Sequence, residues 1–214
     1  MRARYDKIRL IFRNTSLNMK RNTCPVCQFP TKTCVCSYIG NVIANATQVI
    51  IMQHPSEVKV AKNTAKLLAL QLDSFALYVG ENTSDFEELI NFCNVNHVAL
   101  LYPNSHAKTL TTEYNHSQKL DAIILLDGTW KKATKLYKLN PWLSQLPSFQ
   151  FDSVNASEYT IRKSKHEYSL STLEAAAQFL EIVDQCETSV LYKLQAGMVK
   201  EQMKRMPDDV KARY

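Results

Sequence analysis

Ile123-Ile124-Leu125-Leu126-Asp127-Gly128-Thr129-Trp130-Lys131-Lys132 is the stretch on which the reading of this chain turns. Four consecutive aliphatic residues make a run of the length and character of a strand buried on both faces. The run stops at a carboxylate, a glycine and a threonine, and Trp130 to Leu139 then carries a helical pattern that ends before Pro141. A strand that passes into a helix through such a turn puts the turn at the carboxyl edge of a sheet. In parallel α/β folds that edge is where ligands collect.

Working outward, Gln48 to Gln53, Phe75 to Val79 and Val98 to Tyr102 read as three further buried strands. Helical spacing separates them: Val58, Ala61, Ala65, Leu68 and Leu72 after the first, and Phe86, Leu89, Ile90 and Cys93 after the second, opened by a capping box at Ser84 and Glu87. A second capping box, Ser171 with Glu174, opens a helix whose apolar face holds Leu173, Ala176, Ala177, Leu180 and Val183. A last helix runs from about Thr188 to Met206 and stops before Pro207. Apolar strands alternating with helices imply an α/β fold with a parallel sheet flanked by helices.

The chain has 214 residues, 45% of them hydrophobic, enough for one substantial core and a small appendage. Composition changes near residue 40, which divides a basic, cysteine-rich segment (1–40) from the α/β domain (41–214). Lys and Arg outnumber Asp and Glu by 26 to 20, and the net charge of +6 favours a polyanionic partner. No apolar run has the roughly 20 residues of a membrane span, and the first residues, Met1-Arg2-Ala3-Arg4-Tyr5-Asp6, lack a signal-peptide core, so a cytoplasmic protein with no membrane partner is expected. Nothing in the sequence fixes the oligomeric state, a monomer included.

Glycine occurs only at positions 40, 80, 128 and 197, which excludes both a G-x-G-x-x-G dinucleotide loop and a Walker phosphate loop. A nucleotide-like ligand must therefore be held by other loops and helix starts. Cys24-Pro25-Val26-Cys27 followed by Cys34-Val35-Cys36 offers four thiols within thirteen residues, the ligand set of a closed, structural zinc site. Because the second pair is C-x-C, an iron–sulfur cluster or metal-free thiols remain alternatives. A zinc site would fix a small basic module that includes Lys20, Arg21 and Lys32.

Asp127 has two readings. It caps the following helix, a task that Thr129 would serve equally, or it faces a ligand. Lys131 and Lys132 fall in the first helical turn, where the macrodipole disfavours cations, so an anion nearby is expected and the second reading gains. Trp130 is assigned to the core, as tryptophans in small domains mostly are. His54 is read as a structural hydrogen-bonder and Glu57 as a first-turn residue of the next helix. Lys131, Lys135 and Lys138 share one helical face, with Leu136 and Leu139 near the opposite one. Alone, that stripe is a solvated face. Arg162, Lys163 and Lys165, with His166, Tyr159 and Tyr168 beside them, form a second basic and aromatic cluster of the kind that positions an RNA backbone. Lys131, Lys132, Lys135, Arg162, Lys163 and Lys165 are the candidate RNA contacts.

Asp127-x-Thr129-Trp130 resembles the signature of the DTW-domain family. Gln53-His54-Pro55-x-Glu57 with Asn63-Thr64-Ala65, Leu101-Tyr102-Pro103, Ser157-x-Tyr159-x-Ile161-Arg162-Lys163, and Leu170-Ser171-Thr172-Leu173-Glu174-Ala175 are similar to its other blocks, in order and over nearly the whole chain. The resemblance implies a SPOUT-like fold with a C-terminal trefoil knot. It implies transfer of the 3-amino-3-carboxypropyl group from S-adenosylmethionine to N3 of a tRNA uridine, in the variable loop, with release of methylthioadenosine. Leu101, Tyr102, Pro103, Leu126, Gly128, Thr129, Leu170, Ser171 and Thr172 then become the cofactor-binding candidates and Asp127 the catalytic candidate, as base or as an orienting group. Two rivals remain: a SPOUT-type RNA methyltransferase using the same cofactor, and a non-catalytic zinc-containing RNA-binding protein.

Overall fold

A computed structural model describes residues 22–111, 119–151 and 170–211. Six strands form one sheet: β1 (Gln48–Gln53), β2 (Phe75–Val79), β3 (Val98–Leu101), β4 (Lys108–Leu110), β5 (Ala122–Asp127) and β6 (Ser148–Phe151). Their order across the sheet is β2-β1-β5-β3-β6-β4, and every pairing is parallel. The α/β architecture read from alternating patterns is therefore present. Two strands escaped the sequence reading. β4 and β6 are three and four residues long, at the far side of the sheet, and β4 exposes Lys108 and Thr109, so neither carries an apolar run.

Helices cover both faces, as parallel strands require. On one face α1 (Ala65–Gln71), α4 (Thr172–Val183) and α5 (Ser189–Met203) bury Leu67, Leu68, Leu173, Ala177, Leu180 and Leu194 against Val49, Ile51, Ile123 and Leu125. On the other, α2 (Glu87–Val95) and α3 (Trp130–Leu139) bring Leu89 and Leu136 onto Ile50, Met52, Leu100 and Ile124. Odd and even residues of β1 and β5 thus face opposite cores, each full burial being worth about 1.5–3 kcal/mol. A short helix, α6 (Asp208–Lys211), follows.

Local signals hold unevenly. Ser171 and Glu174 form the expected box, Ser171 Oγ accepting from Glu174 N at 3.2 Å and Glu174 Oε2 from Ser171 N at 2.7 Å. The box before α2 lies two residues upstream of Ser84. There Asp85 Oδ2 accepts from Glu81 N and Asn82 N at 2.8 and 2.9 Å, and these backbone donors hold its carboxyl below the ordinary carboxylate value. The helix expected from Val58 starts only at Ala65. Pro55–Glu57 is a tight 3-10 turn, and Asn63 Oδ1 accepts from Ala65 N at 3.0 Å to begin the helix. Leu139, placed near the buried face of α3, is exposed at its end.

β1 continues through α1 to β2 on one side, whereas β5 continues through α3 to β6 on the other. Neighbouring strands whose connections leave in opposite directions open a crevice at their carboxyl ends. Gln53 and Asp127 face each other in register there.

The cysteine segment docks on α5. Phe29 and Val35 are buried in the same core as Leu191, Leu194 and Met198. Tyr38 lays its ring on Gly197, where a Cβ would come within 2.2 Å of the ring, and its hydroxyl donates to Glu201 Oε1 at 2.7 Å. Gly197 is thus a contact point, and any side chain there would lift the ring.

Candidate functional site

A cleft of about 200 Å³ opens over the carboxyl edge of β3, β5 and β6. Leu101, Tyr102 and Pro103 line it from the end of β3, and Leu126 and Gly128 from the end of β5. Leu170, Ser171 and Thr172 come in at the start of α4. The structure therefore brings eight of the nine cofactor-binding candidates around one space. Thr129 is the ninth; it is exposed and not among the cleft residues. Phe149, Gln150 and Phe151 also line the cleft, and no sequence signal pointed to them, because β6 itself was invisible.

Asp127 is not an N-cap. It is the last residue of β5, and Thr129 occupies the cap position of α3, although its side chain makes no capping bond. The Asp127 side chain turns away from α3, toward the face that carries α4, and is 3% exposed. Three side chains donate to its carboxylate. Thr172 Oγ1 reaches Oδ1 at 2.5 Å, while Asn63 Nδ2 and Gln53 Nε2 reach Oδ2 at 2.7 and 2.8 Å. Gln53 Nε2 also donates to Asn63 Oδ1 at 3.2 Å, which fixes both amides. Asp127 itself does not line the cleft, but Thr172 does. Gln53 and Asn63 are partners of Asp127 that sequence reasoning left without a role. Gln53 was within reach of it, since it ends β1 as Asp127 ends β5.

The lysines of α3 divide. Lys132 Nζ lies 2.7 Å from Glu57 Oε1, and Glu57 is buried, so this cation is answered inside the chain. That overturns half of the inference that misplaced lysines require an outside anion. Lys135 pairs with Glu81 across the same rim. Lys131 is exposed and makes no ion pair among the described residues. Gly128 is needed beneath this arrangement, because a Cβ there would meet Lys132 Cβ at 2.9 Å. Arg162, Lys163 and Lys165, with Tyr159, His166 and Tyr168, lie outside the described residues, as do Lys20 and Arg21.

Trp130 is not core: it is 42% exposed and lines the cleft. Its ring centroid is 6.4 Å from that of Tyr102, which in turn stacks on Tyr137 at 4.8 Å with 22° between planes. Trp130 is the first residue of α3, at the rim of the cleft. His54 is structural here. Its Nδ1 accepts from Ser56 N at 3.2 Å, which leaves the proton on Nε2 to donate to Glu81 Oε1 at 3.0 Å.

Cys24, Cys27, Cys34 and Cys36 bring their sulfurs within 4.8 Å of one another. Cys24 Sγ and Cys36 Sγ are 3.5 Å apart, and Cys27 Sγ and Cys34 Sγ 3.7 Å, far beyond a disulfide bond. Zn–S bonds of about 2.3 Å in a tetrahedron put sulfurs about 3.8 Å apart, so the cluster fits a metal ion. A turn shapes it: Cys24 N donates to Phe29 O at 2.8 Å, Gln28 N to Cys24 O at 3.0 Å, and Gln28 takes a φ of 59°. Burial opposes ionisation of Cys24, yet the N–H groups of Cys27 and Val26 bring its thiol down to about 7. Burial pushes Cys27 and Cys36 up. Crowded sulfurs of this kind can all ionise only around a cation.

No helix among the described residues is long and apolar enough to cross a membrane. Compared with known families, the chain matches the DTW domain over residues 21–206. The tRNA-uridine aminocarboxypropyltransferase 2 of Drosophila melanogaster is 32% identical over 202 residues, covering 86% of this chain and 80% of its own. Proteins of the same name from Macaca fascicularis and Mus musculus are 30% and 31% identical over 186 residues, 83% of this chain. This chain spans 62% of the length of those two mammalian proteins. No solved structure gives a match. With its signature turn at a sheet edge, residues 101–103 and 170–172 beside it around one cleft, and the family matching most of its length, the chain belongs to the DTW-domain family.

Proposed function

We propose that this protein modifies a tRNA uridine, transferring the 3-amino-3-carboxypropyl group of S-adenosylmethionine to N3 in the variable loop and releasing methylthioadenosine. The observation that carries the reading is the convergence of residues 101–103, of Leu125, Leu126 and Gly128, and of residues 170–172, far apart in sequence, on one cleft at the carboxyl edge of the sheet. The relatives named for this transfer support it. Leu101, Leu126, Phe149 and Phe151 make a cleft wall suited to an adenosine and a thioether. Lys131, Lys132, Lys135, Arg162, Lys163 and Lys165 are the tRNA contacts in this reading. The family kinship supports a SPOUT-like domain (41–214) with a C-terminal knot, acting in the cytoplasm.

Zinc is the metal proposed for Cys24, Cys27, Cys34 and Cys36. Four protein ligands leave no open coordination position, so it would stabilise the module (1–40) and take no part in the reaction.

The sulfonium activates the transferred carbon. The chain must align N3 with the scissile C–S bond and dispose of the N3 proton. Mass spectrometry of uridine nucleosides after incubation with unmodified tRNA and S-adenosylmethionine tests donor, reaction and substrate together. Aminocarboxypropyluridine with methylthioadenosine is expected. S-adenosylhomocysteine in its place identifies a methyltransferase, and no binding of the donor leaves an RNA-binding protein.

A further inference from the structure

We propose that Thr172 is the catalytic residue that receives the N3 proton and that Asp127, beneath it, is a positioning residue and final proton acceptor. The proposal rests on the function set out above. Asp127 does not line the cleft, whereas Thr172 lines it and donates its hydroxyl hydrogen to Asp127 Oδ1 at 2.5 Å. A hydroxyl whose only hydrogen is committed downward can only accept from the cleft. It therefore selects a ligand with an N–H to give, which uracil N3 has.

Asp127 is held for this task. Asn63 and Gln53 occupy Oδ2 at 2.7 and 2.8 Å, which leaves Oδ1 to Thr172. The other polar hydroxyl at the helix start, Ser171 Oγ, is already engaged by Glu174 N at 3.2 Å and Gln195 Nε2 at 3.3 Å. Among the described residues, Glu57 pairs with Lys132, Glu81 with His54 and Lys135, and Glu174 caps Ser171.

In the transfer step the N3–carbon bond forms as the carbon–sulfur bond breaks, and the sulfonium leaves as a neutral thioether. The N3 proton passes to Thr172 Oγ1 while the Thr172 proton passes to Asp127 Oδ1. Thr172 ends neutral, Asp127 ends as the acid, and the proton then returns to solvent.

The test measures kcat and KM for tRNA against pH for the wild type, Thr172→Val and Thr172→Ser, with thermal melting as a check on folding. Thr172→Val keeps the shape and loses the relay, so kcat should fall about 10²-fold at neutral pH, the usual worth of a general base, with little change in KM. Uridine N3 ionises unaided in alkali, so the deficit should shrink as pH rises. Thr172→Ser restores the hydroxyl and should recover most of kcat. A deficit that is the same at every pH, or a serine variant as slow as valine, overturns the relay and leaves the proposed function standing. A wild type that yields no methylthioadenosine overturns the function and the relay together.

Discussion

The cysteine turn packs four thiols together and the Asp127 corner packs one carboxylate among polar side chains, and the two differ in what satisfies their ionisable groups. Asp127 receives three donors from Gln53, Asn63 and Thr172, so its burial is balanced from within. The four thiols of Cys24, Cys27, Cys34 and Cys36 crowd within 4.8 Å of one another, and the backbone N–H groups that reach Cys24 and Cys27 do not offset the burial that opposes ionisation of Cys27 and Cys36. Where a chain answers its own polar groups, the site is preorganised and its chemistry is intrinsic. Where it does not, folding of that region is linked to a bound ion.

The largest effect should come from removing that ion. Protein purified without chelator should carry about one metal ion per chain, measured by elemental analysis, since four cysteines close one tetrahedral site. Treatment with a strong chelator, or Cys34→Ala, should undock the turn and lower the melting temperature by many degrees, because binding free energy of such sites is folding free energy. Phe29 and Val35 would lose their places against α5 at the same time. A chain that melts identically with and without chelator would break the comparison, since the thiols would then be self-sufficient.

The Asp127 corner should respond to an internal change and not to chelation. Asn63→Leu removes a donor from Asp127 Oδ2 and an acceptor from Ala65 N, both buried. The expected loss is about 1–3 kcal/mol in urea denaturation at saturating metal, the range for stranded buried polar groups. If the same loss appears only after chelation, the two poles are not independent.

The contrast also explains what could be read from sequence. β5 was legible because four aliphatic residues in a row admit few alternatives, and the cysteine ligands because spacing alone defines them. The α4 box was legible because Ser171 and Glu174 are three residues apart. The Asp127 corner was not, because Thr172 is 45 residues from its partner and Asn63 is 64. Glu57 and Lys132 meet across 75 residues, so the lysine seemed to lack an anion that tertiary packing supplies. Trp130 misled for a different reason. Its size argues for burial, but it opens α3 at the rim of the cleft and is exposed there.

A surface version of the self-satisfied pole gives the smallest effect and the sharpest control. Glu81 accepts from Lys135 and from His54 Nε2, in a pair open to solvent on the lysine side. Lys135 chiefly, with burial opposing and His54 assisting, holds the Glu81 carboxyl below its ordinary 4.5. A carboxyl lowered in the folded state adds stability above its ordinary value, and that stability is lost as pH falls through the lowered one. Lys135→Met should therefore melt slightly below the wild type at neutral pH, and the gap should close as pH drops below 4.5. Salt at about 1 M should close it at neutral pH as well, since screening there acts within about 3 Å. Asn63→Leu should show no comparable salt dependence, because its partners are buried and water is excluded from them. A salt-sensitive Asn63→Leu, or a salt-insensitive Lys135→Met, would mean that exposure does not separate these two carboxylates.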